Sequence, residues 1–246
     1  MESNLFRAIA GGAALVSFGL ASAGDAQEQA GPATAIPAQA AAPAPVAAPA
    51  AVDPTMCELH LWPAERFMAQ TSGWLSGFGI VGALADSSAH ANKDKSNRTQ
   101  LAGALDSAGQ VDALAAFDLP AMLHLPPSRI VRHDEPLERH TMNSIKTRRA
   151  ESTAPCYAEL IVGDILYQKA PLHGRSLRAL FMMRDFASGT TIRREAKGWG
   201  GNGLKLFPPK PGEDVQAAND ELVQKFKDDF TEYAHNAALT PTPTRS

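Results

Sequence analysis

Several signatures of catalysis and cofactor binding are missing from this chain. It has no G-x-S-x-G elbow for a serine nucleophile, no H-E-x-x-H helix for zinc and no P-loop for nucleotide phosphates. Cysteine is scarce. Two in 246 residues, neither in a C-x-x-C, leave no room for a cysteine-rich zinc site or a dithiol redox motif. Charge of either sign is not in surplus, and a formal net charge of -3 lacks the basic footprint of a nucleic-acid-binding domain. No apolar run reaches the roughly 20 residues that span a bilayer. No catalytic residue, cofactor or metal is assigned on this reading, and any membrane association is expected to be peripheral.

The one literal motif is GWGGNG, Gly198 to Gly203, which fits G-x-G-x-x-G. A dinucleotide fingerprint needs a helix directly after its glycines, to present backbone N–H groups to pyrophosphate. Here Pro208, Pro209 and Pro211 follow closely and forbid an immediate helix. The stretch is expected to be a flexible loop, with Trp199 at a contact surface. Of the seven histidines, His133 and His140 flank Glu135 in RHDEPLERH, but Pro136 prevents a helix from aligning the two imidazoles, so solvated charge is the favoured reading. Asp164 and Asp185 fall within strand-like runs. They form either a carboxylate pair across a hairpin or, as favoured, separate partners for arginine.

What is present begins with a change of composition. Residues 1–23 combine Arg7, a small-residue apolar run and Ala21-Ser22-Ala23, the anatomy of a secretory signal peptide. No cysteine follows the run closely, so no lipid anchor is expected there. Residues 24–54 are dominated by alanine and proline, which supply too little apolar surface to fold and favour an extended tether. Residues 55–236 are of a size for a single α/β domain, and 237–246, ending TPTPTRS, read as a disordered tail.

Within that domain, Cys57 opens CELHLWP, in which apolar and polar residues alternate, and Cys156 opens the long apolar run CYAELIVGDILYQ. Both read as strands, and in an oxidising compartment the pair is expected to form a disulfide between neighbouring parallel strands. SLRALFMMRDF makes a second strong strand behind a turn at Pro171 and Gly174, TTIRREAKG a third and SRIVRHDEPLE a short one. Leu177, Ala179, Phe181 and Met183 share the face expected to meet the core. Helical spacing runs from Leu101 to Phe117, interrupted by Gly103 and Gly109, through the polar LERHTMNSIKTRRAE, and from Glu213 to Ala234 with Leu222, Phe226, Phe230 and Tyr233 on one side. The polar ADSSAHANKDKSNRTQ reads as a loop. The fold expected is α/β (α+β), a mixed sheet with helices packed mainly on one face and one disulfide.

Two surfaces suggest partner contacts. GWLSGFGIVGALA, with Gly73 and Gly77 at G-x-x-x-G spacing, is a loop or close-packed helix that offers Trp74 and Phe78. The hairpin from Lys169 to Lys197 is rich in basic residues, among them Arg178 and Arg184, and suits an acidic protein or an anionic glycan or lipid surface.

The run APCYAELIVGDI, the strand SLRALFMMRDFASGTTI with Asp185, Ser188 and Gly189 at its end, and the closing helix form a recurrent order. Over about Ser128 to Tyr233 it resembles the N-terminal domain of the Tol-system propeller protein and the domains of curli-secretion and exopolysaccharide-export lipoproteins. The resemblance implies a non-enzymatic part of an envelope assembly, in the periplasm or at the outer-membrane surface of a bacterium. The alternative is an exported hydrolase, possibly metal-dependent, using His133, Glu135, His140 or Asp164.

Overall fold

A computed structural model describes residues 56–73 and 79–238, with backbone alone for 79–87. The expected signal peptide, the linker, most of the tail, and the candidate contacts Trp74 and Phe78 lie outside the described residues.

Strand β4 (Tyr157–Ala170) is the centre of the molecule. On one side it pairs antiparallel with β5 (Gly174–Ala187), which pairs antiparallel with β6 (Arg194–Leu204). On its other side two short strands share a lane. β1 (Cys57–Trp62) runs parallel to the first half of β4, and β2 (Arg66–Thr71) runs parallel to the second half. β3 (Ser128–Arg132) adds to β1 alone, giving a mixed six-stranded sheet of order β3-β1-β4-β5-β6. The cystine closes the lane at its start. Cys57 and Cys156 sit 99 residues apart in sequence with Cα atoms 4.7 Å apart, and Glu58 N–H donates to the Cys156 carbonyl at 3.0 Å. The staple shortens the unfolded chain's loop where β1 must find β4.

Three helices cover one face: α1 (Gly79–Ala104), α2 (Ser107–Ala115) and α5 (Val215–Ala238). The expected core face of β5 is the observed one: Leu177, Ala179, Phe181 and Met183 are buried against Phe226, Phe230 and Tyr233. The helical face from Leu101 is split between α1 and α2. Asp106 caps α2, its carboxylate accepting from Gly109 N–H at 2.8 Å, so the break falls between Gly103 and Gly109, the two glycines expected to interrupt the helical face. Asn97, in a polar stretch read as a loop, lies mid-helix in α1 and is buried. α5 runs to Ala238, two residues beyond the expected end of the domain.

GWGGNG is strand, not flexible loop. It forms the second half of β6, and its glycines serve the helix beside it. Gly198 and Gly200 face α5, and a Cβ at Gly200 would fall well inside contact distance of the Asp229 carbonyl. Asn202 Nδ2 then donates to Asp229 Oδ1 at 2.7 Å, and Tyr233 Oη donates to the Ala196 carbonyl at 2.9 Å. The glycines remove side chains so that a helix can lie flush on an edge strand.

The opposite face is covered without long helices. α3 (Leu119–Met122) precedes β3, and the segment after it passes through α4 (Arg139–Ser144) and an irregular stretch to Cys156. This lid lies over Ile161, Leu180, Met182, Arg184 and Phe186, all buried. The polar helix expected over LERHTMNSIKTRRAE is therefore only six residues long.

Gly200→Ala is expected to lose stability by about 1–3 kcal/mol through overpacking, whereas Gly203→Ala, whose Cβ meets nothing closer than a carbonyl at 3.9 Å, changes little. Urea unfolding of the two variants checks this.

Candidate functional site

The lid seals a polar layer onto the sheet. Glu58, His60 and Trp62 alternate along β1 on this face, and His133 follows directly after β3. His60 Nε2 lies 3.1 Å from Glu58 Oε2, and His60 Nδ1 lies 2.9 Å from His133 Nε2. Two neutral rings satisfy both contacts when each carries its proton on Nε2, so that His60 donates to Glu58 and accepts from His133. Glu58 also accepts from Arg129 and from Ser152 Oγ. Trp62 stacks on His133 with ring centroids 4.1 Å apart, and Tyr157 packs against His60 at 4.6 Å. Burial holds both imidazoles below the ordinary histidine range, against the raising influence of Glu58 on His60. At Glu58 the cost of burial is outweighed by the Ser152, His60 and Arg129 contacts, and its pKa is lowered.

Deeper under the lid, arginines hold it down. Arg149 Nη2 donates to the Thr141 and Met142 carbonyls at 3.0 Å each, where α4 ends, while its backbone N–H and its guanidinium meet Glu159 at 2.9 Å and 3.4 Å. Arg184 Nε donates to Glu195 Oε2 at 2.7 Å and Nη1 to the Ile145 carbonyl at 2.8 Å. Helix C-terminal carbonyls lack partners of their own and carry partial negative charge, so guanidinium groups suit them. Burial pushes the Glu159 carboxyl up, opposed by the Arg149 N–H and guanidinium.

These positions correct two expectations. Arg184, expected as a partner contact, is fully buried. Its alternation along β5 put it on the second face, but that face is covered and not open. The basic hairpin surface largely dissolves for the same kind of reason: Arg193 pairs with Asp185, and Arg194 and Arg175 are taken up by backbone carbonyls. Asp164 and Asp185 take separate arginine partners, as the favoured reading expected: Asp164 meets Arg139 at 3.0 Å and Asp185 pairs with Arg193, and across the hairpin Asp164 lies opposite Leu180 while Asp185 lies opposite Ala158. His133 is separated from exposed Glu135 and His140 and joined to His60 instead. Among the described residues no group of three or more His, Cys, Asp or Glu is placed to hold a metal.

Two expected contacts remain accessible together. Trp199 on β6 and Arg178 on β5 are half-buried, with the Arg178 guanidinium 5.2 Å from the Trp199 ring centroid, lying across Gly201. Trp199 packs at the lid's margin, against the apolar cluster of Met142, Leu180 and Met182, and Lys197 Nζ donates to Asn143 Oδ1 of the lid at 2.9 Å. Trp199 also lines a groove of about 330 Å³ along the outer edge of β6, with Lys197, Tyr233 and Asn236. Gly201 N–H points outward to Glu232 Oε2 at 2.9 Å, so by strand alternation the backbone groups of Lys197 and Trp199 face outward too. On the other side of the sheet, Arg66, Arg98 and Arg139 share a wide cleft of about 620 Å³ with Glu65 and Phe67.

The histidine pair, hidden in plain alternation as His60, and the lid arginines were not legible as a site. Only the even spacing of Glu58, His60 and Trp62 signalled that polar groups share one face.

No family model and no curated protein matches the chain. A solved structure titled "Crystal structure of uncharacterized protein" is similar at 12% identity, covering 75% of this chain and 95% of that one, with a TM-score of 0.24, which is too slight a likeness to inform fold or function.

Asp229, buried between α5 and β6, has its pKa pushed up to about 7 by burial, against the Asn202 hydrogen bond and with Glu232 and Asp228 adding to the rise. A folded pKa above the unfolded value of 3.8 means that the folded state binds the extra proton between those limits, so this group's contribution falls as pH rises through them and is level above. Asp229→Asn, which keeps the acceptor for Asn202, is expected to gain stability over the wild type progressively from pH 4 to about 7 and to hold that gain at pH 8. Chemical unfolding of both proteins across pH measures the difference. The histidines act with the opposite sign: their lowered values cost stability below about pH 6.5, and His133→Phe is expected to flatten that acid loss.

Proposed function

We propose that the protein is a non-enzymatic, exported binding or assembly component of the bacterial cell envelope. The cystine between β1 and β4 supports an oxidising compartment, and no described helix is long and apolar enough to cross a membrane. The resemblance of Ser128–Tyr233 to envelope-assembly domains points the same way.

The observation that carries the binding role is the Arg178–Trp199 pair beside the open edge of β6. Tryptophan and arginine dominate the energetic centres of protein interfaces, because a large rigid ring covers much area and a weakly hydrated planar cation stacks on it at little desolvation cost. An exposed strand edge alongside supplies unpaired backbone groups for an incoming extended segment. The partner favoured is therefore a protein, with glycan or lipid surfaces secondary.

One arrangement favours the hydrolase alternative. Glu58 fixes the tautomer of His60, and His60 that of His133, which leaves His133 Nδ1 as an acceptor in the manner of a general base. None of the clefts described above takes in His60 or His133, and the binding role is preferred.

A photoreactive residue replacing Trp199 in the native envelope is expected to capture a discrete partner that one at exposed Asp220 on α5 does not. Arg178→Ala and Trp199→Ala should each reduce recovery of that partner about tenfold. Equal capture from both positions, or capture indifferent to Arg178, would contradict the role assigned to this surface.

A further inference from the structure

We propose that the cleft between α1, the β4–β5 turn and the proline-rich loop before α5 binds a phosphate group. This goes beyond the partner surface at Trp199 and uses none of its residues. The cleft has a volume of about 310 Å³ and is lined by Lys93, Asn97, Lys169, Arg175 and Lys210 together with Pro208, Pro209 and Pro211; Ser96 and Gln100 add neutral polar groups, and no carboxylate is among its lining residues.

Four observations converge on an oxyanion. Lys93 and Lys169, from α1 and from the end of β4, have no ion-pair partner among the described residues. Asn97 is buried at 3% exposure, yet its Nδ2 has no hydrogen-bond partner. A buried donor left unsatisfied is costly, and a helix position that tolerates one calls for an acceptor from outside. Arg175 is already committed, its guanidinium donating to the Lys205 and Pro208 carbonyls, so it holds the proline loop in place as the cleft's wall. Lys210 lies 3.4 Å from Glu213, which leaves Lys93 and Lys169 as the uncompensated charges.

The donor geometry selects phosphate over a carboxylate. Two ammonium groups and an amide, from α1 and β4, offer separate point donors, whereas a planar carboxylate is best met by a single guanidinium fork. A tetrahedral dianion presents oxygens in several directions and takes point charges well. Burial of the Asn97 side chain also removes the Asn97-Arg98-Thr99 sequon from use as a glycan acceptor.

The test is calorimetric titration of the exported chain with inorganic phosphate at low ionic strength, with succinate in parallel. Saturable binding of one phosphate, tighter than succinate, is expected. Lys93→Gln and Lys169→Gln should weaken it about tenfold each, and Asn97→Asp, an isosteric change that sets a carboxylate against the ligand, should abolish it. Arg132→Gln alters net charge equally but lies at the β3 edge, paired with Asp112, and should leave binding unchanged. Flotation with vesicles containing phosphatidic acid separates the sources. Lysine-dependent vesicle binding identifies a lipid headgroup, and phosphate binding without it identifies a soluble phosphate ester. Absence of both, succinate binding as tight as phosphate, or an equal loss in Arg132→Gln would overturn the proposal. If Asn97→Asp fails to fold, the two lysine variants decide it alone.

Discussion

The structure depends on β4 being buried on both faces for most of its length. A strand flanked on each side by neighbours and covered above and below cannot alternate between core and water. The sequence meets this with YAELIVGDILY, in which every residue from Tyr157 to Ile165 is buried. A register shift between Val162 and Asp164 keeps the helix face apolar: Ala158, Leu160 and Val162 lie on it, and after the shift Ile165 and Tyr167 do. Gly163 occupies the bulge, where a Cβ would press on Met142 and Leu180, so the lid can close directly over the irregularity. Everything on the second face, from the lid to its polar layer, follows from the need to cover this strand.

How the lid is fastened explains its buried charge. Apolar contacts beneath it form a small cluster of Trp62, Met142, Ile161, Leu180 and Met182, too few to order a segment with so little helix. Arg149 and Arg184 instead take the carbonyls at the end of α4, and Glu159 and Glu195 balance them. Such buried pairs contribute little net stability over apolar residues of the same shape, but losing one partner is strongly destabilising. Their consequence is one defined seating of the lid, with Trp199 packed half-buried at its margin. The same seating therefore covers Arg184 and leaves Arg178 accessible.

Much of this was readable from sequence, for reasons that separate along the chain. The two cysteines, the β4–β5 hairpin and the amphipathic face of α5 were legible because each is a local pattern with one physical interpretation. The region around Asn97 was not, since a helix packed by only part of one face keeps a polar composition like that of a loop. β2 escaped notice because six residues in RFMAQT carry no clean alternation. GWGGNG misled in the opposite direction: glycines usually mark turns, but here they mark the close approach of α5, a cause that lies 29 residues downstream at Asp229. Arg149 in KTRRAE gave no sign of its role, because the Thr141 and Met142 carbonyls that receive it are positioned only once α4 has ended.

Function divides the surface along the same lines. The lid and its histidine layer serve the interior, the Arg178–Trp199 pair and the β6 edge form the face assigned to a partner protein, and the lysines near Asn97 form a separate anion site. The central claim is that the lid seals Trp62 and leaves Trp199, at its margin, open to a partner. Oxidative footprinting of tryptophan, on the purified protein and in the intact envelope, tests it directly. Trp62, 4% exposed, should resist modification in both, while Trp199 should react in the purified protein and become protected in the envelope. Reaction of Trp62 in the purified protein would show that the lid does not seal the sheet, and equal reactivity of Trp199 in both settings would show that no partner covers it.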